Sequence, residues 1–353
     1  MTRGEYATTA HSSEPASIPA LFAVTTFLQG RDARNMRCPG GKEARFGREW
    51  VRVRSVNRLL LKAEAVLPHE WVFGAFLLMT GLWLILNGSA RGLSFVFLGG
   101  LACILALVIW TERNPTVWRW RVRLSSCFVV MGASFYTMRA SVPLLGSPPA
   151  DNLLLQWDRD LLGETPAVAL QAWLYPWLED VSMAGYLFFF FYLLGGPAYY
   201  CFRDIPTFRK CIVGLFTMYG LAFTGYTLFP AGGPHYAMVF HTALHGPWLV
   251  DSMLDAVNRG SNSVDVFPSV HVAASLYLLL FDWQHYRRRF WWVLGPCLLL
   301  WWATVYLRFH YFVDLLAGVV VALIGWWTAR KYAEGSLGQP SQLPAPSLAV
   351  SDD

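Results

Sequence analysis

Two short stretches of this 353-residue chain carry residue types that could do chemistry together. One runs from Thr304 to Gly318 and holds Arg308, His310 and Asp314. The other is Phe267-Pro268-Ser269-Val270-His271. Both lie against long apolar runs, where a charged residue is costly and asks for a reason. His310 and Asp314 are four apart, so on a helix they share a face. The carboxylate can then hold one imidazole nitrogen and leave the other free. Pro268 and Ser269 suit a helix start, which points backbone N–H groups outward as a cradle for phosphate. Two histidines at one membrane depth, one backed by a carboxylate, make a nucleophile and an acid. The two stretches are expected to meet and form a phosphoryl-transfer site.

The elements that must position them are membrane helices. The chain is 55% hydrophobic and only 14% charged, against roughly 25% charged in a soluble domain. This composition sets nucleic-acid binding aside and gives an all-α, polytopic transmembrane bundle. Apolar runs at about 71–88, 92–111, 124–146, 181–202, 211–229, 268–283, 290–308 and 310–328 predict about eight spans. With the basic N-terminus in the cytoplasm, cations collect in every second gap: Arg113 to Arg123, Arg203 to Lys210, Arg287 to Arg289, and Arg330 with Lys331. That is the positive-inside pattern. It puts both termini in the cytoplasm and His271, His310 and the 230–267 loop on the other side, periplasmic or lumenal. Residues 1–66 read as a basic tail, with 51–66 either an amphipathic surface helix or disordered. Residues 331–353 read as a disordered tail.

Further candidates gather on that outer side. Gly232 and Gly233, between Pro230 and Pro234, give an exposed backbone able to approach an anion, followed by His235 and Tyr236. His241 and His245 have a zinc-like spacing without a third ligand, which favours surface or substrate-facing histidines. Arg139, about two turns inside the third span, is expected to face a polar cavity. The six cysteines show neither metal spacing nor a disulfide framework and read as small buried residues.

Pro268-Ser269-Val270-His271, then His310 with Asp314 at four residues, resembles the second and third signatures of the type 2 phosphatidic acid phosphatase superfamily. Phe229-Pro230, Pro234-His235-Tyr236, Tyr306-Leu307 and His310-Tyr311-Phe312-Val313-Asp314 are most similar to its inositol phosphorylceramide synthase branch. Trp157 to Gly163 resembles the acidic lead-in of that branch. The resemblance covers residues 124–328, implying a six-span core (124–330) preceded by two extra spans (67–123). It implies His310 as nucleophile, Asp314 as its orienter, and His271 as acid and then base. Ser269 and nearby N–H groups would hold the phosphate oxygens, and no metal or other cofactor is implied. The chain departs from the phosphatase pattern at Val270, Ala303 and Thr304, and lacks the Lys…Arg-Pro signature. Arg308 or Arg139 would have to stand in for the missing cation.

The implied partners are a lipid phosphate or phospholipid donor and a lipid alcohol or water as acceptor. Transferase and phosphatase both remain open. A transporter or scaffold would scatter ionisable residues through mid-membrane in several spans; here they cluster at one face. A catalytically dead relative acting as a binding protein is the third reading.

Overall fold

A computed structural model of the chain describes residues 65–88 and 91–335. The basic tail, the 51–66 segment apart from its last two residues, Cys38 and residues 336–353 lie outside the described residues. Ten helices of more than one turn follow: α1 (Pro68–Leu86), α2 (Arg91–Arg113), α3 (Val117–Ser141), α4 (Asp151–Leu162), α5 (Pro176–Arg203), α6 (Ile205–Leu228), α7 (Val250–Gly260), α8 (Val270–His285), α9 (Arg287–Tyr306) and α10 (Phe312–Ala333). Among the described residues there is no strand.

The protein is an integral membrane protein, yet among the described residues six helices, not eight, have the length and apolarity of a span: α1, α2, α3 with its 3-10 extension to Leu145, α5, α6 and α10. The two remaining apolar runs do form helices. However, α8 has 16 residues, about 24 Å at 1.5 Å per residue, against a hydrocarbon core of about 30 Å. Helix α9 opens on Arg287, Arg288 and Arg289.

Sequence sets the helix starts. Pro68, Pro176 and Pro206 occupy first-turn positions, where a missing N–H costs nothing. Thr116, Asp204 and Ser269 are N-caps whose side chains accept from the N–H of Arg119, Thr207 and Val272. Helix α6 is the centre of the bundle: 78% of its span is buried, more than in any other span, and it packs on α1, α3, α5, α8 and α10. Lipid is as apolar as the side chains, so close van der Waals fit must hold such helices together. Gly214 and Gly325 provide it. A Cβ on Gly214 would stand 2.6 Å from the Gly325 carbonyl oxygen, and one on Gly325 would stand 2.7 Å from that of Gly214. Gly318 does the same where α10 passes the start of α8; its Cβ would meet the Ser269 carbonyl oxygen at 2.6 Å.

Two buried polar networks tie the helix ends away from the histidines. Arg123, assigned from sequence to an inner loop, is instead buried in α3 and grips both oxygens of Glu70 at 2.7 and 2.6 Å. Asp282 accepts from the hydroxyls of Tyr192 and Tyr200, both at 2.8 Å, and from Arg289. A buried carboxylate with this many donors is satisfied, as burial demands. Of the described cysteines, four are buried and Cys103 is exposed, consistent with its place on α2, the span least buried by protein.

Candidate active site

The two stretches picked out by residue type meet. His271, the second residue of α8, has its Nδ1 3.0 Å from Nε2 of His310. The other nitrogen of His310, Nδ1, is 3.2 Å from Oδ2 of Asp314. An ionised Asp314 only accepts, so His310 Nδ1 donates to it and Nε2 carries the lone pair. His271 Nδ1 then donates to that lone pair.

The route to this pairing differs from a shared helix face. His310 precedes α10, whose N-cap is Tyr311. Asp314 is the third helical residue and turns back to accept from the Tyr311 N–H at 3.1 Å, so the His–Asp pair is part of an N-terminal cap. The loop feeding it is tightly specified. Phe309 and His310 both donate their N–H to the Thr304 carbonyl, at 3.0 and 2.9 Å, and Arg308 takes a left-handed φ of 66°. Asp158 of α4 then caps α10 from outside, accepting from the N–H groups of Phe312 (3.1 Å) and Val313 (3.0 Å) and from the Thr165 hydroxyl (2.8 Å). Ser269 N–H donates to the Asp314 carbonyl at 3.1 Å, which fixes α8 to α10 at the height of the pair.

The histidines line a cavity of about 500 Å³. Its walls are mostly apolar, from α3, α5, α6 and α7. Tyr186 and Phe189 of α5 pack on the His271 ring at 4.8 and 4.5 Å between centroids. A cavity of this size and character suits acyl chains with one reactive polar end.

The other sequence candidates fall in different places. His235 lines the cavity, and neither ring nitrogen has a hydrogen-bond partner. Burial lowers its pKa to about 4, so it is neutral at ordinary pH. Gly232 also lines the cavity, but its N–H and that of Gly233 are already taken by the Asp151 carboxylate, at 3.1 and 2.9 Å. Those donors organise the loop, and Asp151 also accepts from the Tyr311 hydroxyl at 2.8 Å. Gly233 must be glycine: its φ is 88°, and a Cβ would collide with the Phe309 carbonyl. Ser269 is wholly buried as the cap of α8. Tyr236 is exposed and donates to the Asn258 carbonyl at 3.1 Å.

Neither candidate cation reaches the cavity lining. Arg139 is exposed, on the Arg259 carbonyl at 3.3 Å. Arg308 is buried, with its guanidinium 4.0 Å from the centre of the Phe240 ring and its Nε and Nη2 unpartnered. His245 pairs with Asp251 at 2.9 Å and His241 is exposed.

A profile of the PAP2 superfamily matches residues 152–328, half of the chain. The chain belongs to the PAP2 superfamily. The matched region takes in α4 to α10 as far as residue 328, hence His271, His310, Asp314 and Asp158; α1 to α3 lie before it. Inositol phosphorylceramide synthase of Candida albicans (strain SC5314 / ATCC MYA-2876) is 36% identical over 85 residues, covering 24% of this chain. The similarity spans only 18% of that protein's length. No solved structure matches the chain.

For a PAP2 superfamily protein, Asp151 was missed from sequence, and Asp158 was read only as part of the acidic lead-in. Asp151 and Asp158 are seven apart on an amphipathic helix, so they share a face. That face is turned to the Tyr311–Val313 turn, and its periodicity was the available signal. Tyr186 and Phe189 carried no signal, being two aromatics in an aromatic-rich span.

Proposed function

We propose that this protein is an integral-membrane lipid phosphotransferase of the PAP2 superfamily that works through a phosphohistidine on His310. The observation that carries the reading is the continuous series Asp314–His310–His271, whose two histidines line a mostly apolar cavity. His310 Nε2 attacks phosphorus as the ester oxygen leaves. The Asp314 carboxylate, on the far nitrogen, stabilises the positive imidazole that results. His271, protonated, gives its proton to the leaving oxygen. In the second half an acceptor oxygen attacks phosphorus, the P–N bond breaks, and His271 takes the acceptor's proton.

The relative's name brings a finer proposal: the group moved is a phospho-headgroup and the acceptor a lipid alcohol. Hydrolysis by water is the same chemistry with a different acceptor. The distribution of Lys and Arg supports cytoplasmic termini and a site at the opposite leaflet.

The test uses purified full-length protein in micelles. Hydrolysis is followed with a fluorescent phosphatidate, and transfer with phosphatidylinositol plus a fluorescent ceramide. At least one reaction is expected, with an acid-labile, base-stable phosphohistidine that is absent in His310→Ala. Full activity in His310→Ala would sink the mechanism.

A further inference from the structure

The cavity holds a second polar centre that the phosphoryl-transfer relay leaves unused. Asp265, in the loop leading into α8, lines the same cavity as His271 and His310. Its Oδ1 accepts from the Ser261 hydroxyl at 3.0 Å and the Asn262 N–H at 3.1 Å. Its Oδ2 takes no hydrogen bond from any described residue. The loop is not free to turn Asp265 away, because the Asn262 side-chain amide donates to the Phe135 carbonyl of α3. Tyr186, whose ring packs on His271, also lines the cavity, and its hydroxyl makes no hydrogen bond with a described residue. Asp265, Tyr186, His271 and His310 all line that one cavity.

No lysine or arginine lines this cavity; apart from His235 and Ser261, its remaining walls are mostly rings and aliphatic chains such as Phe135, Phe189, Leu193 and Phe223. An anionic group beside Asp265 would be repelled, and the one cation the mechanism supplies, protonated His271, is engaged by the phosphoryl group. A fully apolar group would leave the carboxylate desolvated and unpaired, a cost of a few kcal/mol. What satisfies both walls is a neutral hydrogen-bond donor carried on an apolar chain. The hydroxyl that reacts must give its proton to His271, so it cannot also keep Asp265 satisfied. A neighbouring donor on the same molecule, a second hydroxyl or an amide N–H, can.

We propose that Asp265, with Tyr186, forms an acceptor subsite that selects chain-bearing alcohols with a second hydrogen-bond donor next to the reacting hydroxyl. The inference rests on the phosphohistidine reading. In the step it serves, the reacting oxygen forms the new O–P bond and the P–Nε2 bond breaks, its electron pair returning to His310. The hydroxyl proton passes to His271. Asp265 holds the adjacent donor throughout, which aims the oxygen and keeps that place from water.

Asp265→Asn is the informative variant. Its amide oxygen can keep the two bonds now on Oδ1, and its NH2 then presents a donor where Oδ2 accepted. Transfer to dodecane-1,2-diol is compared with transfer to dodecan-1-ol, using whichever phospholipid donor turns over in the assay above. The wild type is expected to prefer the diol by at least about tenfold in kcat/KM, and Asp265→Asn to bring that ratio near one, mainly through KM for the diol. Tyr186→Phe, which keeps the ring on His271, is expected to lower the ratio in part. An unchanged ratio in Asp265→Asn overturns the proposal. So does loss of phosphohistidine formation in Asp265→Asn with donor alone, which would place the carboxylate on the donor side. The His310→Ala control separates the two readings: activity surviving there defeats the phosphohistidine, whereas the diol ratio decides Asp265.

Discussion

His271 Nδ1 and His310 Nε2 stand 3.0 Å apart, too close for a phosphoryl group to lie between them. An attacking nitrogen, phosphorus, leaving oxygen and acid nitrogen in line span roughly 7 Å. On the proposed phosphohistidine reading, one ring therefore moves when substrate enters. His310 is held by Asp314 and by the backbone bond from its own N–H to Thr304. His271 is held by His310 and by two aromatic faces. His271 is thus the ring that swings.

From this asymmetry, the two histidines should fail differently. His310→Ala is expected to lose at least about 10³-fold in kcat. His271→Ala, lacking only the proton donor, is expected to lose about 10²–10⁴-fold on alkyl esters. A phosphodiester with a nitrophenol leaving group, which departs without protonation, should restore phosphohistidine formation in His271→Ala and not in His310→Ala. Trapping the labelled protein reads this directly.

Asp314→Asn preserves shape but removes the charge that fixes the His310 tautomer. The expected loss is about 10³–10⁴-fold in kcat, by analogy with a triad carboxylate, with KM for the lipid little changed. Steady-state kinetics in mixed micelles measures the split.

Gly318→Ala places a methyl 2.6 Å from the Ser269 carbonyl oxygen. It should push α10 from α8, costing about 1–3 kcal/mol, and stretch the His271–His310 contact, so that activity falls further than stability. Gly99→Ala on α2, with nothing within 4 Å of its Cβ and no proline beside it, is the matched control and should be silent. Thermal unfolding and turnover of the two variants provide the comparison.

Asp158→Ala leaves the N–H groups of Phe312 and Val313 and the Thr165 hydroxyl without their acceptor. Each unsatisfied buried group costs about 1–3 kcal/mol. A lower Tm is expected, together with loss of activity, because the same turn carries His310. Asp158→Asn, which keeps one acceptor oxygen, should recover part of both.

His235 provides a pH signature. Its pKa is about 4 in the folded protein against 6.5 when unperturbed, so below 6.5 the unfolded chain binds a proton that the folded one refuses. Stability should therefore fall as pH drops from 6.5 towards 4, by at most roughly 3 kcal/mol. His235→Gln should flatten that part of the curve, as read from unfolding midpoints between pH 7 and 4.5.

The helical class, the membrane setting and the three residues that meet, His271, His310 and Asp314, were legible in the sequence. Apolar runs of span length admit no other fold in lipid, because every backbone group must be satisfied within its own segment. A histidine and a carboxylate beside apolar runs are too costly to be filler. The count of spans was less legible, since hydropathy does not register that α8 stops after 16 residues or that α9 opens on three arginines. Tertiary structure alone decided the rest. It turned the His310–Asp314 spacing into a helix cap, gave the Gly232 and Gly233 N–H groups to Asp151, and left Arg139 and Arg308 outside the cavity. It also put Asp265 in the lining of the cavity the histidines share, and Tyr186 against the His271 ring. The physical reason is the same throughout. Spacing along a chain limits which groups can share a local turn, whereas which donor meets which acceptor depends on helices distant in sequence, such as α4 against α10, and on close approaches such as Gly318 on Ser269.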